Sequence, residues 1–428
     1  MGGPAGGDAS PAVPPPAVAY AWPRILLIAP NAGSRMGGEA LKALQYFRWL
    51  LEAGADARLI THARNRDELA ALFPPERLSF VEDGPLQRLA WQSRLGRPLV
   101  TPLFHRAAAR LARRHDPART VLHYICPISP VAPRLAPRGY HVVIGPLSGN
   151  IHYPPALARR TPAGRRLGAW LHAPAQRGLG LVFRDRARAE RLLVSGGART
   201  RRSLLLAGAP RARMAEVLDA GVAPALLRRA RPAHTPPRFA CIGRMVDDKG
   251  FDLALRGLAQ CDAEVELVLH GDGPSRPALE ATAARLGLGA RVRFAGWLDH
   301  ARLAAALDDC RGLVMPSLAE ANGIVMQEAM ALAVPVVALD WGGPAELGRS
   351  GGALLVPVAA EAELVAGLAG AMQALARAPE RAARLGQEGR DVARARFDWD
   401  RVAASWAGHY PRRPAGPKRP GGAGRGRA

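Results

Sequence analysis

Lysine is scarce in this 428-residue chain: three of its 59 cationic side chains are Lys, at positions 42, 249 and 418, and 56 are Arg. Codon bias in a GC-rich genome produces that ratio, so the count alone identifies no partner. Cysteine is scarce too. The four thiols, Cys126, Cys241, Cys261 and Cys310, are separated by 115, 20 and 49 residues. These gaps fit no metal-ligand or redox pattern and predict buried, reduced thiols in a cytosolic protein. Aromatic residues make up 5% of the chain. That is too few for base-stacking platforms and argues against a nucleic-acid-binding protein, in spite of a pI near 11.3. No apolar run reaches the roughly 18 residues of a membrane span. The Gly/Ala/Pro-rich start lacks a basic segment and does not predict a signal peptide.

Acidic residues are unevenly distributed. Between Tyr20 and Pro236 there are 13 against 35 cations, a net +22; between Pro237 and Tyr410 there are 22 against 18, a net −4. The first half and the tail therefore carry the basic charge, and a field of that sign attracts anionic lipid surfaces or phosphates.

Residues 1–20 and 411–428 are Pro/Ala/Gly-rich and predicted to be disordered, the second with added basic charge. Arg24–Pro30 reads as a buried strand, followed by a glycine-bearing loop, a helix over Glu39–Glu52 and a strand at Ala57–Thr61. Further strands read at Thr120–Ile125, His141–Ile144 and Leu192–Val194. After the breaker Thr235-Pro-Pro237 the alternation is regular. Strands read at Arg238–Ile242, Val265–His270, Val292–Phe294, Gly312–Met315, Val336–Leu339 and Ala353–Val356. Helices lie between them at Asp252–Ala259, Pro277–Leu286, Ala301–Leu307 and Ile324–Ala331, and a last helix covers Trp399–Tyr410. The pattern predicts an α/β protein of two doubly wound parallel-sheet domains, 21–235 and 236–396, with a cleft at the carboxyl ends of both sheets.

Two stretches carry the chemistry. In Cys241-Ile-Gly-Arg-Met-Val-Asp-Asp-Lys-Gly250 a strand ends at Gly243 and a helix starts after Gly250, with Arg244 and Lys249 in the loop. Arg offers planar two-point hydrogen bonding, Lys a point charge, and a helix start about half a positive charge, a combination suited to a diphosphate. In Pro316–Met330, Glu320 sits in a loop, Gly323 opens a helix and Glu328 lies within it. The amides of Asn322 to Ile324 can hold a phosphate or sugar hydroxyls, and Glu328 can accept from a diol; a capping Glu320 and a surface Glu328 are the plainer alternatives. Asp398-Trp-Asp400 opens a predicted helix, so capping accounts for it better than a metal does.

These pieces, in this order, resemble the C-terminal domain of the retaining nucleotide-sugar glycosyltransferases of family four, which have the GT-B architecture. The resemblance covers Phe239 to about Tyr410. It rests on Gly243-Arg244 with Lys249-Gly250, His270-Gly-Asp-Gly-Pro274, Val292-Arg-Phe-Ala-Gly296, Glu320 and Glu328 eight apart, Ala333-Val-Pro-Val-Val337 with Gly342-Gly343, and Phe397-Asp-Trp399. It implies that Arg244 and Lys249 hold the donor diphosphate, Glu320 the transferred sugar and Glu328 the ribose. Gly243, Gly271, Asn322, Gly323 and Ile324 would line the donor site. It also implies that residues 397–410 cross back to brace the first domain. Asn322 stands where the family often has an aromatic residue. In the first domain Gly37 and Gly38 occupy the place of the family's glycine loop. His123 lies in a strand-end segment where relatives carry one or two His, with Ile125 at the second position; a core histidine is the alternative. Ser148, Asn150 and His152 lie in a further glycine-rich loop and are candidates for acceptor contact, with turn formation as the equal alternative.

The expectation is therefore a cytoplasmic, metal-independent, retaining glycosyltransferase without a cofactor, its partners a nucleotide diphosphate sugar, an unidentified acceptor and, through the basic first half, a peripheral contact with an anionic inner membrane face. A nucleotide-sugar epimerase of the same fold is the nearest alternative.

Overall fold

A computed structural model describes residues 22–34, 38–93 and 96–411. Gly37, the 1–20 segment and the basic tail after Pro411 lie outside them.

Thirteen strands form two sheets among the described residues. The first holds β1 (Arg24–Ile28), β2 (Ala57–His62), β3 (Leu78–Val81), β4 (Thr120–Tyr124), β5 (His141–Leu147), β6 (Arg191–Val194) and β7 (Met214–Glu216), in the order 3-2-1-4-5-6-7. The second holds β8 (Arg238–Ile242), β9 (Glu266–His270), β10 (Val292–Gly296), β11 (Gly312–Met315), β12 (Val336–Leu339) and β13 (Ala353–Val356), in the order 10-9-8-11-12-13. Every ladder is parallel. The apolar runs of β1, β4, β8 and β11 fit strands covered on both faces. In each sheet the strand order reverses beside the first strand, between β1 and β4 and between β8 and β11. An open α/β sheet offers its ligand crevice at such a point.

Four apolar clusters fill the faces of the sheets. The first sheet is covered on one side by the Gly38–Glu52 helix and on the other by the Arg97–Ala112 and Gly197–Leu206 helices. The Trp399–Ala407 helix comes from the far end of the chain and packs Val402, Ala403 and Trp406 against Ala43, Tyr46 and Phe47. Its start is capped by Asp398, whose carboxylate accepts from the amides of Asp400 and Arg401, the capping role read from the sequence. The chain passes between the sheets twice, and the two passages lie together: Val222 N donates to Phe397 O at 2.7 Å and Trp399 N to Val222 O at 3.1 Å.

The four cysteines are buried and free. Burial raises their thiols above the ordinary value, Cys126 to about 12 and Cys261 to about 11, which leaves them in the unreactive protonated form.

Candidate active site

The site begins with the loops that leave β8, β9 and β11. Gly243 N donates to His270 O at 3.0 Å and Met245 N to Asp272 O at 2.9 Å, so the first two loops run side by side. They lie so close that a Cβ on Gly271, at φ +131°, would sit 1.9 Å from the carbonyl oxygen of Gly243. Gly250, at φ +63°, opens the Phe251–Leu258 helix and approaches the third loop, where a Cβ would come within 2.3 Å of Pro316 O. The carbonyl of Asp248 accepts from Leu318 N at 2.8 Å and from Ala319 N at 3.3 Å. The backbone thus stitches the Lys249 loop to the Glu320 loop.

The stitching brings Lys249 and Glu320 together: the Lys249 ammonium donates to Glu320 Oε2, both side chains being mostly buried. Glu320 does not cap the following helix. That place belongs to Gly323, at φ +73°. Arg244 is exposed on the same loop and has no ion-pair partner among the described residues. Asn322 is buried, accepts from Gln327 Nε2 at 3.3 Å, and has no partner for its own Nδ2; Ser317 Oγ is buried and unpartnered as well. Buried polar groups without partners point to a ligand or water that supplies them.

Glu328 is buried on the Ile324–Ala331 helix and not on its surface. Its Oε1 meets His300 Nε2 at 2.7 Å, and that hydrogen bond, reinforced by the carboxylate charge, raises the His300 pKa against the opposing effect of burial. Nothing in the sequence pattern marked His300, which comes from a different loop.

The first domain supplies the opposite wall. Gly38 opens the Gly38–Glu52 helix and lies against the Ile324–Ala331 helix, where a Cβ would be 3.7 Å from Ile324 Cδ1. Ser148 is buried with an unpartnered Oγ. Asn150, at φ +59°, donates to Arg199 O at 3.4 Å and meets His152 Nε2 at 2.6 Å, while Trp341 Nε1 donates to His152 O at 2.9 Å across the cleft. Gly38, Ser148, Asn150 and His152 are therefore grouped along the wall that faces Ile324 and Trp341.

His123 is not in that wall. It is fully buried beneath it, with both ring nitrogens taken: Nε2 lies 2.7 Å from Gly145 O and Nδ1 2.6 Å from the Tyr410 hydroxyl. A carbonyl only accepts, so Nε2 carries the proton and Nδ1 accepts from Tyr410 Oη, which is itself 2.8 Å from Tyr46 Oη. Burial keeps the ring neutral, with its pKa pushed down to about 4. The core alternative weighed from the sequence describes His123, which ties the last helix to β4. Ile125 is equally buried.

A strap from the first half also closes over the Lys249 loop. Tyr153 and Leu157 belong to the core of the second sheet. Tyr153 Oη donates to Asp248 Oδ1 at 2.7 Å, Arg165 pairs with Asp248, and Arg160 pairs with Asp252 at 2.5 Å. Sequence reading missed these residues because the ion pairs join positions 83 and 92 residues apart and the tyrosine bond spans 95. A separate cavity of about 400 Å³, lined by His141, Glu190, Arg191 and His409, lies at the amino ends of β5 and β6, away from these groups.

Two Rossmann-like domains with facing carboxyl-end loops define the GT-B fold, and comparison with solved structures agrees. Sucrose-phosphate synthase from Thermosynechococcus elongatus superposes with a TM-score of 0.64 at 22% identity, covering 89% of this chain and 96% of that one. HepE of Anabaena, solved with UDP and glucose, gives a TM-score of 0.59 at 18% identity over 90% and 98% of the two chains. In sequence, residues 236–375 match the family Glycosyl transferases group 1, so the second half carries that domain. The glycogen synthase of Mycobacterium tuberculosis is 31% identical over 186 residues, 42% of this chain. The match spans 44% of that relative's own length.

Proposed function

We propose that the protein is a glycosyltransferase that moves a hexose-type sugar from a nucleotide diphosphate sugar to an acceptor, with retention of configuration and without a metal. The observation that carries this reading is the Lys249–Glu320 pair, held by three loops stitched together at the switch point of the second sheet. The group 1 domain and the UDP and glucose bound by HepE support it. In this reading 236–396 is the donor domain, 21–235 the acceptor domain and 397–410 the brace between them.

Lys249 and Arg244 neutralise the diphosphate as it leaves, in place of a divalent ion. Preorganised charge of this kind is commonly the largest catalytic contribution, and one lost donor costs about 3 kcal/mol. Glu320 accepts from hydroxyls of the transferred sugar and fixes the Lys249 ammonium. Glu328, steadied by His300, accepts from the ribose diol. Gly243, Gly271, Asn322, Gly323 and Ile324 present backbone and amide groups to the phosphates and sugar. The anomeric carbon–oxygen bond to the diphosphate breaks while the acceptor hydroxyl bonds to the same face. Its proton passes to the departing phosphate oxygen. No side-chain nucleophile is invoked.

The acceptor is a polysaccharide, a lipid-linked sugar or a small molecule. A site of action at the cytoplasmic face of a membrane is favoured by the Ala163–Phe183 helix. It buries few side chains, has no acidic residue, carries Arg165, Arg166 and Arg177, and exposes Leu167, Trp170, Leu171, Leu181 and Val182. An apolar face with basic neighbours suits an anionic lipid surface. Among the described residues no helix is long and apolar enough to cross a membrane.

A thermal-shift screen against UDP-, GDP- and ADP-sugars tests the central reading. One donor raises the melting temperature, and Lys249→Ala abolishes the rise; an equal rise in that variant removes Lys249 from the site. Nucleotide release that needs no acceptor extract, with an isomerised sugar as product, would mark an epimerase instead.

A further inference from the structure

We propose that Ser195-Gly196-Gly197, Arg199 and Ser148 form a second anion site, in the first domain, which takes a phosphate or carboxylate group of the acceptor. The proposal rests on the transferase reading for the word acceptor, but not for the binding of an anion.

β6 ends at Val194, and the chain turns through Gly196 and Gly197, at φ +84° and +60°, into the ten-residue Gly197–Leu206 helix. No side chain caps the first amides of that helix, so they remain donors with a favourable dipole for an anion. Beside them lies Ser148, 3% exposed, whose Oγ has no partner and sits 3.0 Å from where a Cβ on Gly196 would be. Arg199 is the third residue of the helix. Both terminal guanidinium nitrogens are shielded from solvent and have no hydrogen-bond partner. A hydroxyl, a guanidinium and free amides at one turn are four or more donors with nothing to receive them, a costly arrangement unless a ligand completes it.

The second domain already offers a stand-in. Glu346, on the Gly342–Gly348 helix, sends its carboxylate across the cleft to 3.9 Å from Arg199, beyond hydrogen-bond range. Its Oε1 lies 2.8 Å from the place a Cβ on Gly197 would occupy. The turn thus draws a carboxylate toward itself without binding it fully. The location suits an acceptor: a Cβ on Gly342 would lie 3.4 Å from Arg199 and 2.9 Å from Glu320 O. An anion at this turn holds its molecule next to the loop assigned to the transferred sugar. Neighbouring Arg201 is committed to Glu216 and Arg202 is exposed, whereas the Arg199 terminal guanidinium nitrogens are shielded at the turn.

Calorimetric titration with inorganic phosphate tests the proposal in the full chain, using Lys249→Ala as the background so that the donor pocket is weakened. That background binds phosphate, and adding Arg199→Gln lowers the affinity at least tenfold. Adding Glu346→Gln instead raises it about fivefold by removing the competing carboxylate. Arg199→Lys, with circular dichroism as the folding check, retains part of the affinity. Phosphate binding that is unchanged by Arg199→Gln, or weakened by Glu346→Gln, overturns the site. Repeating the titration with succinate separates a carboxylate-bearing acceptor from a phosphorylated one. Nucleoside diphosphate binding to the Arg199→Gln single variant stays within twofold of wild type. If wild type binds no nucleoside diphosphate, the transferase reading fails while the phosphate result still stands or falls on Arg199.

Discussion

The loops at the mouths of the two sheets are framed alike and differ in what they do with their polar side chains. In the second sheet three loops are fixed to each other by backbone hydrogen bonds and by glycines packed against carbonyls, and one Lys and one Glu are set into that frame. In the first sheet the wall is stitched as well, with Ser148 N bonded to Ile128 O and a Cβ on Gly145 placed 2.4 Å from Leu193 O, but Ser148 Oγ and the Arg199 terminal guanidinium nitrogens have no hydrogen-bond partner. The second wall pairs its Lys with its own Glu, whereas the first leaves a buried hydroxyl and a guanidinium unbonded. Fixed geometry of this kind is what makes charge effective in a site.

The comparison is broken most directly at Lys249. Lys249→Ala is expected to lower transfer by about 10²–10³-fold in a nucleotide-release assay, with little change in melting temperature. Full activity would mean that the stitched loops are scaffolding only. Glycine substitutions sharpen it next. Gly271→Ala must push the β8 and β9 loops apart and is expected to destabilise the protein by roughly 2–4 kcal/mol in urea unfolding. Gly38→Ala is expected to change stability by about 0.5 kcal/mol or less, because among the described residues its Cβ meets only Ile324, at van der Waals distance.

Acid separates the halves in a third way. His62, His105 and His123 all lie in the first half, and burial, the leading cause in each, pushes their pKa values down to about 4, 3 and 4. A base whose folded pKa is depressed is more readily protonated in the unfolded chain. Its contribution is therefore complete above the ordinary value near 6.5 and is lost as pH falls through 6.5 toward 4. Each is expected to add up to about 1.4 kcal/mol per pH unit over that window, measurable as a falling urea midpoint. His123→Phe should flatten part of the slope. The smallest effect belongs to His300, whose pKa is raised and whose ring is 61% exposed. Its contribution is present below 6.5 and lost as pH rises through the folded value. Solvent screening limits it to about 0.5 kcal/mol. His300→Ala is expected to weaken nucleotide binding slightly more at pH 6 than at pH 8 in a direct titration.

The same contrast governs what could be read from the chain. All six strands of the second sheet were legible, because each is a short apolar run bounded by Gly, Pro or charge. In the first sheet β3 and β7 escaped notice. They are edge strands, partly exposed, and Leu78–Val81 and Met214–Glu216 lack a continuous apolar run. The Ala163–Phe183 helix was missed for a related reason: with Gln176 and Gly180 as its buried residues, it has no inward apolar face to reveal a period. At the candidate site, the family resemblance singled out Arg244, Lys249, Glu320 and Glu328, and the structure brings Lys249 to Glu320. His300, Tyr153, Arg160 and Arg165 were not singled out, since only tertiary folding makes them neighbours. Arg199 had a usable signal, a strand followed by Gly-Gly and a basic helix start, hidden among the many arginines of that half.

The paired passages at Val222 and Phe397–Trp399 set how the cleft can open. One flexible tether would let the halves swivel and drift apart, but two chain segments bonded side by side behave as a ribbon, which bends about one axis and resists torsion. Twisting one half against the other would shear these two bonds, whereas bending across them would keep both, so the joint is stiffer in torsion than a single linker.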